Sequence, residues 1–116
     1  MDEKTEIKLR ELQLMEQSLQ NISLQKQAFQ HELNETAKAI SELSKAKGDV
    51  YNIVGQIMLK TNKEDAEKEL KEKTEILELR IKAFDKQEII LKNKVDSVRQ
   101  EILDRIEKGG KQISKP

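Results

Sequence analysis

Val50-Tyr51-Asn52-Ile53-Val54-Gly55-Gln56-Ile57-Met58-Leu59-Lys60-Thr61 is the one β-branched, turn-punctuated stretch in this 116-residue chain, and it constrains what the rest can form. It divides into two short apolar runs, about 50–54 and 56–60, around one glycine. Gly55 supplies backbone angles that a tight turn needs and that other residues avoid. The stretch therefore predicts a β-hairpin. A plain solvent loop would not carry Val50, Tyr51, Ile53, Val54, Ile57, Met58 and Leu59 together.

Outward from the hairpin, each flank carries an unbroken heptad stripe. Before it stand Leu12, Met15, Leu19, Ile22, Lys26, Phe29, Leu33, Thr36, Ile40 and Leu43; after it stand Leu70, Thr74, Leu77, Ile81, Phe84, Glu88, Leu91, Val95, Val98 and Ile102. Steps of three and four alternate without a slip. A mean spacing of about 3.5 residues keeps one helix face turned toward a partner helix, and the nearest partner is the other flank. The expected fold is mainly α: a long antiparallel two-helix coiled coil with a short β-hairpin between the helices.

The expected domain is single, 1–116. Helix 1 is placed at about 5–47, with Lys45 and Lys47 in its last turn, where cations suit the helix dipole, and Gly48 as a left-handed cap. The hairpin occupies 49–61. Helix 2 occupies 62–108, with Asn62 as its cap and Glu64 and Asp65 in its first turn. Gly109-Gly110 is expected to stop it, leaving a flexible tail through Pro116.

Composition agrees with long helices. Charged residues are 38% and aromatics 3%, too few large apolar groups for a rounded core. High charge with heptad periodicity marks extended helices, whereas a disordered chain would lack the periodicity. Lys+Arg and Asp+Glu are both 22, so the formal net charge is zero. A nucleic-acid footprint would need a basic excess, and no apolar run approaches a membrane span. No nucleic-acid or membrane partner is expected. The polar opening Met1-Asp2-Glu3-Lys4 is unlike a signal peptide, and cysteine is absent. A cytoplasmic protein is the expectation.

Two surfaces stand out. A lone hairpin is marginal in water and leaves both edges open, so Val50, Tyr51, Ile53, Val54, Gly55, Ile57, Met58 and Leu59 are read as an assembly element shared between copies or homologues. At the free helix ends, Ile7, Leu9 and Leu14 fall off the first stripe and Leu103 and Ile106 off the second. Together with the seam residues Leu12, Met15 and Ile102 they form a candidate contact patch. Scattered surface hydrophobics are the plainer explanation. Lys26 and Glu88 are the charged members of the two stripes. They either lie in adjacent layers and partly satisfy each other, or Lys26 reaches to solvent.

Catalytic chemistry is missing from the sequence. His31 is the single histidine, glycine-rich phosphate loops are absent, and metal-ligand spacings do not occur. No enzyme activity, cofactor or metal is expected.

The hairpin and the start of helix 2 resemble the β-class subunits of prefoldin. In that signature a strand with a tyrosine, an apolar-glycine turn and a second apolar strand ending in lysine lead into a Glu/Lys-rich helix with an alanine and a leucine. Tyr51, Gly55, Lys60, Ala66 and Leu70 hold those places here. One hairpin rather than two matches the β class. The resemblance implies an archaeal-type α2β4 hexamer built with α-class prefoldin subunits and other β copies. It implies an ATP-independent co-chaperone that holds unfolded client proteins at its coiled-coil tips and delivers them to a group II chaperonin. The alternative function, from another class, is a structural coiled-coil adaptor binding one fixed protein partner.

Overall fold

The computed structural model describes residues 2–114, with side chains described for residues 2–108. The order is α1 (Glu3–Lys45), β1 (Val50–Val54), β2 (Ile57–Thr61) and α2 (Lys63–Ser114). The fold class is the expected one: two long helices with an antiparallel hairpin between them.

Helix α1 starts two residues before the expected position because Asp2 caps it. The Asp2 carboxylate accepts the Thr5 amide at 2.8 Å, and the Asp2 carbonyl accepts the Glu6 amide at 3.1 Å. The hydrogen bonds from Thr5 hold the Asp2 carboxyl below its ordinary pKa, as expected where donors favour the charged form. At the other end α1 stops at Lys45 instead of 47. The Ala46 amide donates to the Leu43 carbonyl at 3.2 Å, tightening the last turn, and Lys63 Nζ donates to the Ser44 carbonyl at 3.0 Å. These bonds satisfy carbonyls that a helix end leaves open. Gly48 is not left-handed, contrary to expectation; Gly55 is, with φ of 63°.

Asn62 caps α2 as the sequence indicates. Its Oδ1 accepts the Asp65 amide at 2.8 Å and its Nδ2 donates to Asp65 Oδ2 at 2.9 Å. The helix does not stop at 108 but continues through Gly109-Gly110 to Ser114. Glycine weakens a helix by about 1 kcal/mol relative to alanine, but it keeps its N–H and so does not interrupt the ladder. Of the tail expected at 109–116, residues 115–116 lie outside the described residues.

The chain divides into two units, Met1–Gln25 with Phe84–Pro116, and Lys26–Ala83. In the first, Val95, Val98 and Ile102 are buried along the α2 stripe, and Leu12, Met15, Leu19 and Ile22 are half-buried along α1. Lys8 pairs with Glu101 at 3.1 Å and Arg99 with Glu16 at 2.7 Å, which places the two helix segments antiparallel. Extending the α1 stripe back from Leu12 by the same four-three steps reaches Lys8 and Thr5. Thr5 is buried and Lys8 half-buried, so the seam runs one heptad further than the apolar residues mark it.

In the second unit Leu43, Leu77 and Thr36 are buried. Both seam threonines donate to carbonyls one turn back: Thr36 to Glu32 at 2.8 Å and Thr74 to Leu70 at 2.9 Å. That bond removes the cost of an unpaired hydroxyl in the seam. The Arg80 guanidinium lies 5.5 Å over the Phe29 ring, and Lys73 pairs with Glu32 at 3.0 Å.

Candidate assembly hairpin and helix-end surface

The hairpin is built on a two-residue turn. Val54 pairs with Ile57, leaving Gly55 and Gln56 as the central residues. A positive φ at Gly55 and not at Gln56 is the pattern of a type II′ turn, whose twist matches that of the strands it joins. The second strand is Ile57–Thr61, one residue later than expected, because Gln56 belongs to this turn.

Cross-strand partners share a face. Tyr51 opposite Lys60 and Ile53 opposite Met58 lie on one; Val50 opposite Thr61, Asn52 opposite Leu59, and Val54 opposite Ile57 lie on the other. Val50, Asn52 and Thr61, at the foot, are half-buried. Tyr51, Ile53, Val54, Ile57, Met58 and Leu59 are all exposed, Ile53 at 67% and Leu59, the least exposed after Tyr51, at 52%. Beyond the foot, each face of the hairpin thus carries apolar side chains that the chain leaves uncovered.

A polar contact at the foot, which the sequence reading missed, fixes the hairpin to α2: Asn52 Nδ2 donates to Glu69 Oε2 at 3.1 Å. Lys60 Nζ lies 3.6 Å from Asp49 Oδ1, just before β1. Asn52, Glu69 and Asp49 border a cleft of about 430 Å³ with Leu43, Val50 and Leu70 among its walls. Asn52 and Glu69 are 17 residues apart on different element types, so periodicity gave no signal for their meeting.

At the helix ends the candidate residues separate into two groups. Ile7, Leu14, Leu103 and Ile106 are exposed, Leu14 at 64%. Leu9, Leu12 and Met15 are half-buried, and Ile102 is buried in the seam. Leu9 is half-buried although it falls off the stripe, whereas Ile7, on the other side of Lys8, is exposed. Lys8 lies between Glu101 and Glu11, and its hydrogen bond to Glu101 raises its pKa.

The described residues hold no cluster of three or more His, Asp or Glu able to grip a metal ion. Among them no helix is long and apolar enough to cross a membrane.

Against known families, residues 6–109 match the model described as prefoldin subunit. The chain belongs to the prefoldin subunit family. Prefoldin subunit beta of Pyrococcus furiosus is 42% identical over 96 residues, covering 81% of this chain and 82% of the relative. Prefoldin subunit beta of Saccharolobus islandicus is 34% identical over 102 residues, covering 86% and 81%. Among solved structures, the crystal structure of the prefoldin beta subunit from Thermococcus strain KS-1 matches with a TM-score of 0.80 and 36% identity, over 90% of this chain and 93% of that one. The β-class resemblance read from Tyr51, Gly55 and Lys60 therefore holds, and the relatives are archaeal. As a prefoldin subunit the chain is a chaperone component, in a family of non-enzymatic chaperones.

Proposed function

We propose that this prefoldin subunit joins α-class prefoldin subunits and further β copies in an α2β4 hexamer in the cytoplasm. The hexamer holds unfolded polypeptides at its coiled-coil ends without ATP and passes them to a group II chaperonin. The observation that carries the reading is the hairpin, with six large apolar side chains exposed on its two faces in a chain that is 38% charged. Burying apolar area contributes about 25 cal/mol per Å², so pooling hairpins into a shared sheet is the favourable way to cover them.

Ile7, Leu14, Leu103 and Ile106 supply the client contacts in this reading. Each is a weak apolar site, and several arms on one client bind by avidity while each arm still releases readily. Leu9, Leu12 and Met15 are half-covered, and Ile102 contributes by closing the seam beneath them. The test is suppression of aggregation when a chemically unfolded protein is diluted into the complex formed with an α-class partner. Suppression without ATP, weakened at least several-fold by Leu14→Ser with Leu103→Ser at unchanged complex mass, is the expected result. A single stoichiometric folded partner and no suppression would instead favour the adaptor.

A further inference from the structure

The hairpin carries a sulfur atom whose oxidation would register whether the chain has been assembled, an inference that rests on the hairpin reading above. We infer that Met58 is a reversible oxidation site: a peroxide-class oxidant converts its thioether to the sulfoxide in the unassembled chain, and the sulfoxide keeps the hairpin out of the shared sheet.

The sequence has no cysteine and three methionines. Met1 lies outside the described residues, and Met15 is half-buried on the α1 stripe. Met58 is 64% exposed, in register opposite Ile53, which is 67% exposed. An aliphatic residue would cover the same strand position without being oxidisable. The face that must be buried in assembly thus carries the chain's most accessible described sulfur.

In the step itself, a sulfur lone pair attacks the terminal oxygen of the hydroperoxide. The O–O bond breaks as the S–O bond forms, and the alcohol, or water from hydrogen peroxide, leaves after proton transfer. Sulfur loses two electrons and the peroxide gains two. The product is polar and chiral, and methionine sulfoxide reductases can reverse it.

The sulfoxide oxygen accepts hydrogen bonds but would be enclosed opposite Ile53 in an apolar sheet. On the same face, Tyr51 and Lys60 lie one cross-strand pair nearer the foot, and Lys60 is already drawn to Asp49 at 3.6 Å. The Tyr51 hydroxyl and the Lys60 ammonium are donors, but they stand at the neighbouring pair and satisfy the enclosed acceptor only in part, which weakens association. Assembly in turn covers Met58, so orphan chains oxidise and assembled ones are protected.

The test treats the free chain with hydrogen peroxide, locates the added oxygen by peptide mass spectrometry, and titrates in an α-class prefoldin subunit under light scattering. Oxidised wild type should assemble at least about tenfold more weakly, the equivalent of one partly unpaired buried polar group. Met58→Leu should assemble normally and keep assembling after peroxide, whereas Met15→Leu should remain as sensitive as wild type. Treatment after assembly should leave Met58 largely unmodified. Complete Met58 oxidation with unchanged assembly, or equal oxidation rates free and assembled, would overturn the proposal. If untreated wild type fails to assemble, the hairpin reading itself falls and takes this inference with it.

Discussion

Gly55 shows how one residue sets the hairpin. Its φ of 63° lies in the left-handed region, and a Cβ placed there would meet nothing within 4 Å. Any substitution therefore acts through the backbone, at about 1–2 kcal/mol for an L-residue held left-handed, and more for a β-branched one. Gly55→Val should leave the helical circular dichroism unchanged while abolishing the mixed complex. An unaltered complex mass in that variant would show that the turn is not needed for assembly. Residue-scale features differed in how far the sequence revealed them. Gly55 and the Asn62 cap were legible because each has a local signature. The Asp2 cap was not, because charged residues follow it and the apolar stripe begins only at Leu12. Gly48 does not cap because α1 already ends at Lys45, where the Ala46 amide bonds the Leu43 carbonyl and Lys63, from a distant part of the sequence, bonds the Ser44 carbonyl at 3.0 Å.

Among the elements, the helices are held by their seams more than by their surface charges. Leu77 is 4% exposed. Leu77→Ala should lower stability by roughly 3 kcal/mol, the usual scale for emptying a packed leucine site, with a lower thermal midpoint read by circular dichroism. A midpoint within error of wild type would mean that the seam does not carry the fold of its unit. Arg99 and Glu16 approach to 2.7 Å with both side chains about half exposed, and exposed pairs of this kind contribute about 0–1 kcal/mol. The heptad steps made nearly every buried position legible. Thr5 and Lys8 escaped because the stripe was followed by apolar identity, although its spacing reaches both. The helix ends were less legible, since Gly109-Gly110 reads as a stop in sequence yet retains the N–H groups that a continuing helix uses.

For the molecule as a whole, the distribution of apolar side chains is the informative property. Positive and negative charges cancel at 22 each, so association has no large electrostatic barrier to overcome. The hairpin leaves its large apolar residues bare on both faces, while the seams bury theirs. The sequence conveyed this contrast because strand pairing has period two and the coiled coil period 3.5, and the change of period marks where one mode of burial gives way to the other. The helix-end patch was only partly legible. Ile7, Leu14, Leu103 and Ile106 follow from falling off the stripe, but the cover over Leu9 depends on how the first heptad packs. Assembly through the hairpin is read out by solution mass from light scattering, on this chain alone and then with an α-class prefoldin subunit from the same genome. A hexamer-sized species that forms only in the mixture is the predicted result. A mass that stays at one or two chains in both samples would contradict assembly through the hairpin.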